Sequence, residues 1–201
     1  MAINPRQSTQ LRQAEIIATM VRLAAERNPA DITTTDIANA MSVTQGALFR
    51  HFSTKEAIRL AVVEWIEEQL MAELHDAQRA ASDALGALRA MFMAHVAFTR
   101  TYPGVPRLIF AELQQPDTSP VRQRVQHLMQ GYRTTVTASL TAAAGAQRIR
   151  PDVDCPSAAA LFLGAIQGLV IQSMLGGSAA QIEQRAEGVL AIYLAGLGAE
   201  S

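Results

Sequence analysis

The chain has 201 residues, of which 49% are hydrophobic and 17% are charged, and its formal net charge at pH 7 is −1. This composition suits an extensive folded core, and the small net charge excludes a general electrostatic attraction to nucleic acid. No uninterrupted apolar run reaches the roughly 18 residues of a membrane span, and residues 1–10 lack the apolar core of a secretory signal. We therefore expect a cytoplasmic protein without a membrane partner.

Charge is unevenly divided along the chain. Through residue 60 there are seven Lys and Arg against five Asp and Glu, a net of +2, whereas the remainder carries ten against thirteen, a net of −3. Any attraction to phosphate is therefore expected from the N-terminal part. That part begins with an arm over residues 1–9 and a helix predicted over residues 10–27, which ends at Asn28 and Pro29.

Three helix starts follow one another between residues 33 and 56, so closely that none of the helices could bury its apolar face alone. Thr33 and Asp36 have the spacing of a capping box, in which a side-chain oxygen and a carboxylate satisfy the first free amides. A helix is therefore predicted from Thr34 to Ser42. Its narrow apolar stripe has the three- and four-residue spacing of about two helical turns.

A second helix is predicted behind the possible cap Thr44, with Leu48 and Phe52 on its packed face. The free face of that helix is small, polar and basic, and it carries Gln45, Ala47, Arg50 and His51. Ser53 and Glu56 fit another capping box and predict the start of a third helix. The pattern indicates a compact group of short helices with one exposed polar face.

Two short helices joined by a tight turn are typical of a helix-turn-helix with a recognition helix. Gly46 costs about 1 kcal/mol inside a helix, so its place in the first turn favours close approach of a partner such as a DNA edge. Gln45 can pair with adenine and Arg50 with guanine, each through two hydrogen bonds in the major groove. The alternative is a small helical subdomain that binds no DNA.

This stretch resembles the N-terminal domain of the TetR/AcrR family of bacterial transcriptional regulators, whose pattern is approximately T-x-x-x-I-A-x-x-A-G-V-S-x-G-x-L-Y-x-H-F-x-x-K-x-x-L. The matching positions are Thr33, Ile37, Ala38, Ala40, Val43, Thr44, Gly46, Leu48, Phe49, His51, Phe52, Lys55 and Ile58. Ser42 replaces the usual turn Gly, which predicts a less comfortable backbone there. Phe49 replaces a frequent Tyr, which leaves apolar contact with a thymine methyl in place of a phosphate hydrogen bond.

The resemblance also implies which side chains touch DNA. Phosphate contacts are expected from Thr33, Thr34, His51 and Lys55, and base contacts from Gln45, Gly46 and Arg50. Thr44, the possible helix cap, and Phe49, which replaces the frequent Tyr, are added to this set. The predicted DNA-binding residues are then Thr33, Thr34, Thr44, Gln45, Gly46, Phe49, Arg50, His51 and Lys55. In the resembling family the recognition helices of a dimer, or of a pair of dimers, bind a pseudo-palindromic operator with half-sites about 34 Å apart.

The rest of the chain is predicted to be helical throughout, which gives an all-α, TetR-like fold of about nine helices. A connecting helix is predicted over residues 54–79, with its glutamates on a solvated face. Further helices are predicted over residues 82–99, 105–113, 120–145 and 156–175, and from the possible caps Ser178 and Gln181 to Leu197. The predicted domains are a helix-turn-helix DNA-binding domain over residues 1–54 and a helical ligand-binding and dimerisation domain over residues 55–201.

The last two helices are unusually apolar, and residues 156–175 are apolar almost all round. A helix of this kind must be covered on every side. We therefore predict an isologous homodimer through a four-helix bundle formed by residues of about 156–197. The alternative is an ordinary monomer core. In the resembling family the last two helices do form the dimer interface.

The resemblance further implies a pocket for a small-molecule effector among the fifth to eighth helices. The predicted lining is mostly apolar and consists of Met91, Phe92, His95, Phe110, Met129, Tyr132 and Phe162. His95 is the sharpest candidate because a polar tip on an apolar face could orient a ligand, although a satisfied core histidine explains it as well. Glu112 is a similar candidate for a polar ligand contact, and its alternative role is an ion pair with Arg100 or Arg107.

Two other functions are weighed against a ligand-controlled repressor. A helical-bundle enzyme is disfavoured because the chain lacks a Gly-rich phosphate loop, paired metal ligands and a nucleophile elbow. We therefore predict no catalytic residues, no metal and no cofactor. A DNA-binding helical protein without a small-molecule effector stays open, because a filled core and an apolar pocket look the same in sequence.

Overall fold

The computed structural model describes the backbone of residues 5–176 and 179–199, and side chains over residues 9–176 and 182–199. Within these ranges the chain forms α-helices and one short 3-10 helix, without a β-strand. The all-α fold predicted from helical periodicity is confirmed.

Nine α-helices follow one another in the described residues. Their bounds are α1 Pro5–Glu26, α2 Thr34–Ala40, α3 Gln45–Phe49, α4 Lys55–Ala80, α5 Ala84–Thr101, α6 Gly104–Leu113, α7 Pro120–Gly145, α8 Cys155–Met174 and α9 Ala179–Gly196, with the 3-10 helix at Pro29–Asp31. Most predicted helices are confirmed to within a few residues. The predicted cap at Ser178 and Gln181 lies outside the residues whose side chains are described.

Two helix boundaries differ from the sequence predictions. Helix α1 begins at Pro5, inside the expected arm, because proline has no N–H to satisfy and its φ already suits the first helical position. The cap of α4 is Thr54, whose hydroxyl accepts from Ala57 N at 3.0 Å. The predicted capping box of Ser53 and Glu56 is therefore wrong by one residue.

The chain divides into two compact units. The first unit contains residues 1–68 and 102–127, and the second contains residues 69–101 and 128–201. The first unit therefore holds α1, α2, α3 and α6, the second holds α5, α8 and α9, and α4 and α7 each contribute a part to both. The predicted boundary between residues 54 and 55 separates two functions and not two compact units. It therefore stays a prediction.

The first unit is held together where α6 crosses α1. A Cβ added to Gly104 would overlap the carbonyl oxygen of Val21 and lie 2.9 Å from the amide nitrogen of Ala25. Gly104 therefore allows the two helix backbones to touch, and any larger residue would force them apart. The sequence predicted only that one helix ends by residue 99 and the next begins at residue 105, which did not indicate this close contact.

The end of α6 is joined to α4 by a buried ion pair. Arg59 Nε donates to Glu112 Oε1 at 2.7 Å, and a second guanidinium nitrogen contacts the other carboxylate oxygen. Glu112 is only 4% exposed, so a partner of opposite charge is required there. The suggested pairing of Glu112 with Arg100 or Arg107 is wrong, because Arg59 holds the carboxylate and Arg100 pairs with Glu183 at 2.9 Å.

Helix α8 in the second unit has an apolar composition on nearly every face. It has 20 residues and a mean hydropathy of 1.5, so by length and composition alone it could cross a membrane, as can a core helix of a soluble protein. Inspection of the sequence for uninterrupted apolar runs did not indicate such a helix, because scattered uncharged polar residues divide its apolar residues into shorter runs. One face of α8 is buried and includes Phe162 and Ile166, whereas Leu161 and Ile171 on another face are exposed.

Candidate nucleic-acid interface and effector region

The start of α2 is fixed by the capping box predicted from Thr33 and Asp36. Asp36 N donates to Thr33 Oγ1 at 3.1 Å, and Thr33 N donates to Asp36 Oδ2 at 2.8 Å. The Thr33 hydroxyl also donates to the same carboxylate oxygen at 2.6 Å. The hydrogen bonds from Thr33, followed by the one from Arg27 at 2.9 Å, hold the pKa of Asp36 well below its usual range.

This capping box bears on the predicted phosphate contact of Thr33. A hydroxyl has one hydrogen to donate, and that of Thr33 is already directed to Asp36. Binding a phosphate through this hydroxyl would require that bond to break. The phosphate role of Thr33 stays a prediction that competes with its role in capping α2.

The turn between α2 and α3 contains a residue in the left-handed region. Ser42 has φ of 55°, where residues with a Cβ are disfavoured. Ser42 N donates to Asn39 O at 3.0 Å, and Val43 N donates to Ala38 O at 3.0 Å, so the end of α2 is closed by backbone hydrogen bonds. The less comfortable backbone predicted for Ser42 is confirmed.

The short helix α3 presents an open face to solvent. Thr44 caps it by accepting from Ala47 N at 3.1 Å, and Leu48 is its buried anchor. The exposed positions are Gln45, Gly46, Phe49 and Arg50, of which Arg50 is the cap residue at the helix end. An added Cβ at Gly46 would meet no atom within 4 Å. The protein's own packing therefore does not require this glycine, and the close approach of a partner at Gly46 stays a prediction.

Gln45 and Thr34 are joined across the turn. Gln45 Nε2 donates to Thr34 Oγ1 at 2.6 Å, and these two residues are the first of α3 and α2. The bond places one predicted base contact and one predicted phosphate contact side by side. Sequence spacing did not indicate this bond, because it depends on how the turn folds.

Two further predicted DNA contacts, His51 and Lys55, are partly buried. His51 lies just after α3, its carbonyl accepts from Gln13 Nε2 at 3.1 Å, and its Nδ1 is buried without a hydrogen-bond partner. Lys55 Nζ donates to Ala30 O at the long distance of 3.4 Å. A bond this long leaves the ammonium available for a phosphate.

The second unit contains a cluster of rings, which we call the aromatic cluster and define as Phe92, His95, Tyr132, Phe162 and Tyr193. Ring centroids lie 5.2 Å apart for Phe92 and Phe162 and 5.3 Å apart for His95 and Tyr132. Phe162 also lies 6.4 Å from Tyr132 and 5.7 Å from Tyr193. These are packed arrangements at favourable distances. Four of the seven predicted effector contacts are thus brought together.

The polar groups of the aromatic cluster are kept uncharged. His95 Nδ1 lies 3.1 Å from the Tyr132 hydroxyl, within hydrogen-bond distance. Burial lowers the pKa of His95 to about 4, because the low-dielectric surroundings disfavour the charged imidazolium. Burial also raises the pKa of Tyr132 and of Tyr193. The Tyr193 hydroxyl is satisfied by donating to Ala158 O at 2.9 Å.

The other three predicted effector contacts are not among these rings and lie on three different helices. Met91 is fully buried on α5, and Met129 is half-buried on α7. Phe110 is half-buried on α6, which belongs to the first unit. Tyr193 was not among the predicted effector contacts, and nothing in its spacing could show that its ring would lie 5.7 Å from that of Phe162.

Two family models match the chain. One is described as "Bacterial regulatory proteins, tetR family" and matches residues 16–62, and the other is described as "Tetracyclin repressor-like, C-terminal domain" and matches residues 109–189. Together they cover more than half of the chain, and the first contains α2, the turn and α3. The chain belongs to the TetR family. It is a DNA-binding transcriptional regulator with a TetR-like helical fold, as the sequence pattern predicted.

Solved TetR-like structures share the fold of this family member over nearly its whole length. The ketosteroid transcriptional regulator KstR2 of Mycobacterium tuberculosis superimposes with a TM-score of 0.79 at 22% identity, covering 94% of this chain and 96% of that one. The regulator FadR of Bacillus subtilis, in complex with stearoyl-CoA, gives a TM-score of 0.76 at 18% identity over 91% and 98% of the two chains. Identities this low establish the fold alone.

A curated relative of the same family is named for a different biological process. The nucleoid occlusion factor SlmA of Haemophilus ducreyi strain 35000HP is 27% identical over 128 residues. The alignment spans 63% of this TetR-family chain and 63% of that relative. The chain therefore covers less than two thirds of that relative's length.

Proposed function

We propose that this protein is a homodimeric repressor that binds a pseudo-palindromic operator and is released from it by a small hydrophobic or amphipathic effector. The observation that carries the proposal is the exposed face of α3, where Gln45, Gly46 and Arg50 stand open to solvent on a capped and anchored helix. A rigid recognition helix with exposed amide and guanidinium groups suits major-groove recognition.

The proposed DNA contacts divide into two chemical kinds. Gln45 and Arg50 recognise base edges, Gly46 allows the backbone to come close, and Phe49, which is 41% exposed, offers an apolar contact to a thymine methyl. Phosphate contacts come from Lys55, His51 and the threonines at the helix starts, with Thr34 and Thr44 supplying hydroxyls. These contacts fix the position of the helix on the duplex.

The aromatic cluster and the methionines near it in sequence are the proposed effector region. It is apolar, its polar groups are neutral at pH 7, and methionine adapts to ligands of different shape. KstR2 is named as a ketosteroid regulator and FadR was solved with stearoyl-CoA, which supports a bulky apolar effector. Such an effector releases the operator only to the extent that it binds more tightly to a conformation in which the recognition helices no longer match the half-sites.

The proposed dimer interface lies on α8 and α9. These two helices and the residue that follows α8 leave large apolar side chains exposed, namely Leu161, Ile171, Met174, Leu175 and Ile192. Leu175 is 83% and Ile192 76% exposed. Large exposed apolar side chains on two helices favour an interaction surface, and a second copy of the chain would cover them isologously.

Selection from random duplexes by the purified full-length protein tests the proposed function. We expect enrichment of a two-fold symmetric site, followed by release of protein from that site when a steroid or long-chain acyl-CoA is added. Enrichment of no sequence by the folded protein would reject sequence-specific DNA binding. Turnover assays on the same preparation check that it acts by binding and not by catalysis.

The dimer has a separate test. Ile192→Glu should lower the molecular mass in sedimentation from that of two chains toward one and weaken operator binding, because it buries a charge in the interface. Gln126→Glu, which adds a carboxylate at an exposed position on α7, should change neither. A wild-type protein that sediments as a monomer would remove the dimer from the proposal.

A second candidate function is DNA binding without a small-molecule effector. The observation in its favour is the close packing of the aromatic cluster, whose rings contact one another as in a filled core. An operator complex that no apolar metabolite releases, and a thermal stability that none of them raises, would favour this candidate.

A further inference from the structure

A short hydrogen bond joins α2 to α3 on the exposed side of the helix-turn-helix. Gln45 Nε2 donates to Thr34 Oγ1 at 2.6 Å. Gln45 is exposed and Thr34 is half-buried, so the bond lies at the surface of the helix-turn-helix. A glutamine side chain has considerable rotamer freedom, and this bond removes part of that freedom before any partner arrives.

We propose that Thr34 orients Gln45 for base recognition, a role that rests on the proposed function. The amide nitrogen has two hydrogens, and one of them is donated to Thr34. One N–H and the Oε1 atom remain, and a donor beside an acceptor is the pattern that pairs with N7 and N6 of adenine. The Thr34 hydroxyl therefore determines which edge of the amide faces the major groove.

The position of Thr34 is itself fixed. The preceding residue, Thr33, caps α2 through a complete capping box with Asp36, and the backbone at Ala38 and Asn39 closes the other end of the helix. The hydroxyl that receives the Gln45 amide is thus attached to a helix with both ends satisfied. Preorganisation of this kind lowers the entropy lost on binding.

This role differs from the phosphate contact that family resemblance implies for Thr34. A phosphate contact from a neutral hydroxyl carries no sequence information, so its loss weakens binding to all duplexes alike. A residue that positions Gln45 changes the base preference at one position of the half-site. The two roles therefore give different results in the same binding experiment.

The experiment uses the full-length protein and duplexes that vary at the base pair whose preference is lost in Gln45→Ala. Thr34→Val keeps the shape of the side chain and removes the hydroxyl, whereas Thr34→Ser keeps the hydroxyl. We expect Thr34→Val to lower the preference for adenine at that base pair about fivefold or more, and Thr34→Ser to retain it. In the Gln45→Ala background, Thr34→Val should cause no further loss of preference.

Three results would overturn the inference. If Thr34→Val weakened all duplexes alike while the base preference persisted, Thr34 would be a phosphate contact only. If Thr34→Val did not fold, Thr34→Ala would be measured in the same way, and a retained preference would be equally decisive. Failure of the wild-type protein to enrich any sequence would overturn the proposed function together with this inference, before any variant is compared.

Discussion

The helix-turn-helix and the aromatic cluster differ in where their order comes from. In the first, caps and hydrogen bonds between residues close in sequence fix exposed side chains, as between Thr33 and Asp36 or Thr34 and Gln45. In the second, rings from distant helices, such as Phe92 and Phe162, fix one another by packing. Specificity for a large charged partner can therefore be built locally, whereas an apolar binding region depends on the whole tertiary structure.

Replacing one phenylalanine in each region should separate stability from recognition. Phe162→Ala is expected to lower the free energy of unfolding by about 3–5 kcal/mol, because it removes the ring that contacts three other aromatic residues. Chemical denaturation at one fixed protein concentration provides the measurement.

Phe49→Ala is the matched control for that experiment. Since Phe49 is exposed, its loss should change the free energy of unfolding by less than about 0.5 kcal/mol while it weakens operator binding. If Phe162→Ala cost no more than Phe49→Ala, the aromatic cluster would be a loosely filled pocket.

Acid should destabilise the aromatic cluster through His95. Its pKa is about 4 in the folded protein against 6.5 when unperturbed, so the unfolded chain takes up the proton first as the pH falls. Above pH 6.5 the group has no effect, and between 6.5 and about 4 the free energy of unfolding should drop by about 1.4 kcal/mol per pH unit.

His95→Gln isolates this contribution because glutamine can still bond to the Tyr132 hydroxyl and does not titrate in this range. The unfolding free energy of the wild type should therefore fall relative to that of this variant as the pH is lowered from 6.5. A difference that is independent of pH would show that His95 is not the titrating group.

Within the helix-turn-helix, base and phosphate contacts should respond differently to salt. Arg50→Ala is expected to lose about 1–3 kcal/mol of discrimination at one base pair. Lys55→Gln should weaken binding to all sequences alike and reduce the salt slope by about one. Binding titrations at several salt concentrations check both, and a strongly sequence-dependent loss in the lysine variant would contradict its phosphate role.

The smallest expected effect concerns two backbone positions, one in each unit. Ser42 and Gln147 have φ of 55° and 56°, so glycine at either position should raise the free energy of unfolding by about 0.5–1 kcal/mol. Thermal denaturation of Ser42→Gly and Gln147→Gly is the measurement. A loss of stability in Ser42→Gly alone would mean that the serine side chain holds the turn.

Much of the fold and of the local geometry of the helix-turn-helix could be predicted from the sequence because their determinants are local. The capping box of Thr33 and the strain at Ser42 each depend on a few neighbouring residues. Where two caps compete locally, as Ser53 and Thr54 do, the prediction failed by one residue.

Contacts between distant residues could not be predicted in the same way. Arg59 and Glu112 are separated by 53 positions, and several arginines were equally plausible partners for the carboxylate. The rings of the aromatic cluster have the same apolar periodicity whether they fill a core or line a pocket. The turn geometry that brings Gln45 to Thr34 is likewise absent from any one-dimensional spacing.

The most direct test of the central claim is the ratio of affinities for the selected operator and for a shuffled duplex of equal length. The measurement is made with the full-length protein at physiological salt. Recognition through the exposed face of α3 predicts a ratio of about 10³ or more. A ratio near one, with both affinities falling steeply as salt rises, would mean that the protein binds DNA by charge alone and would contradict the account.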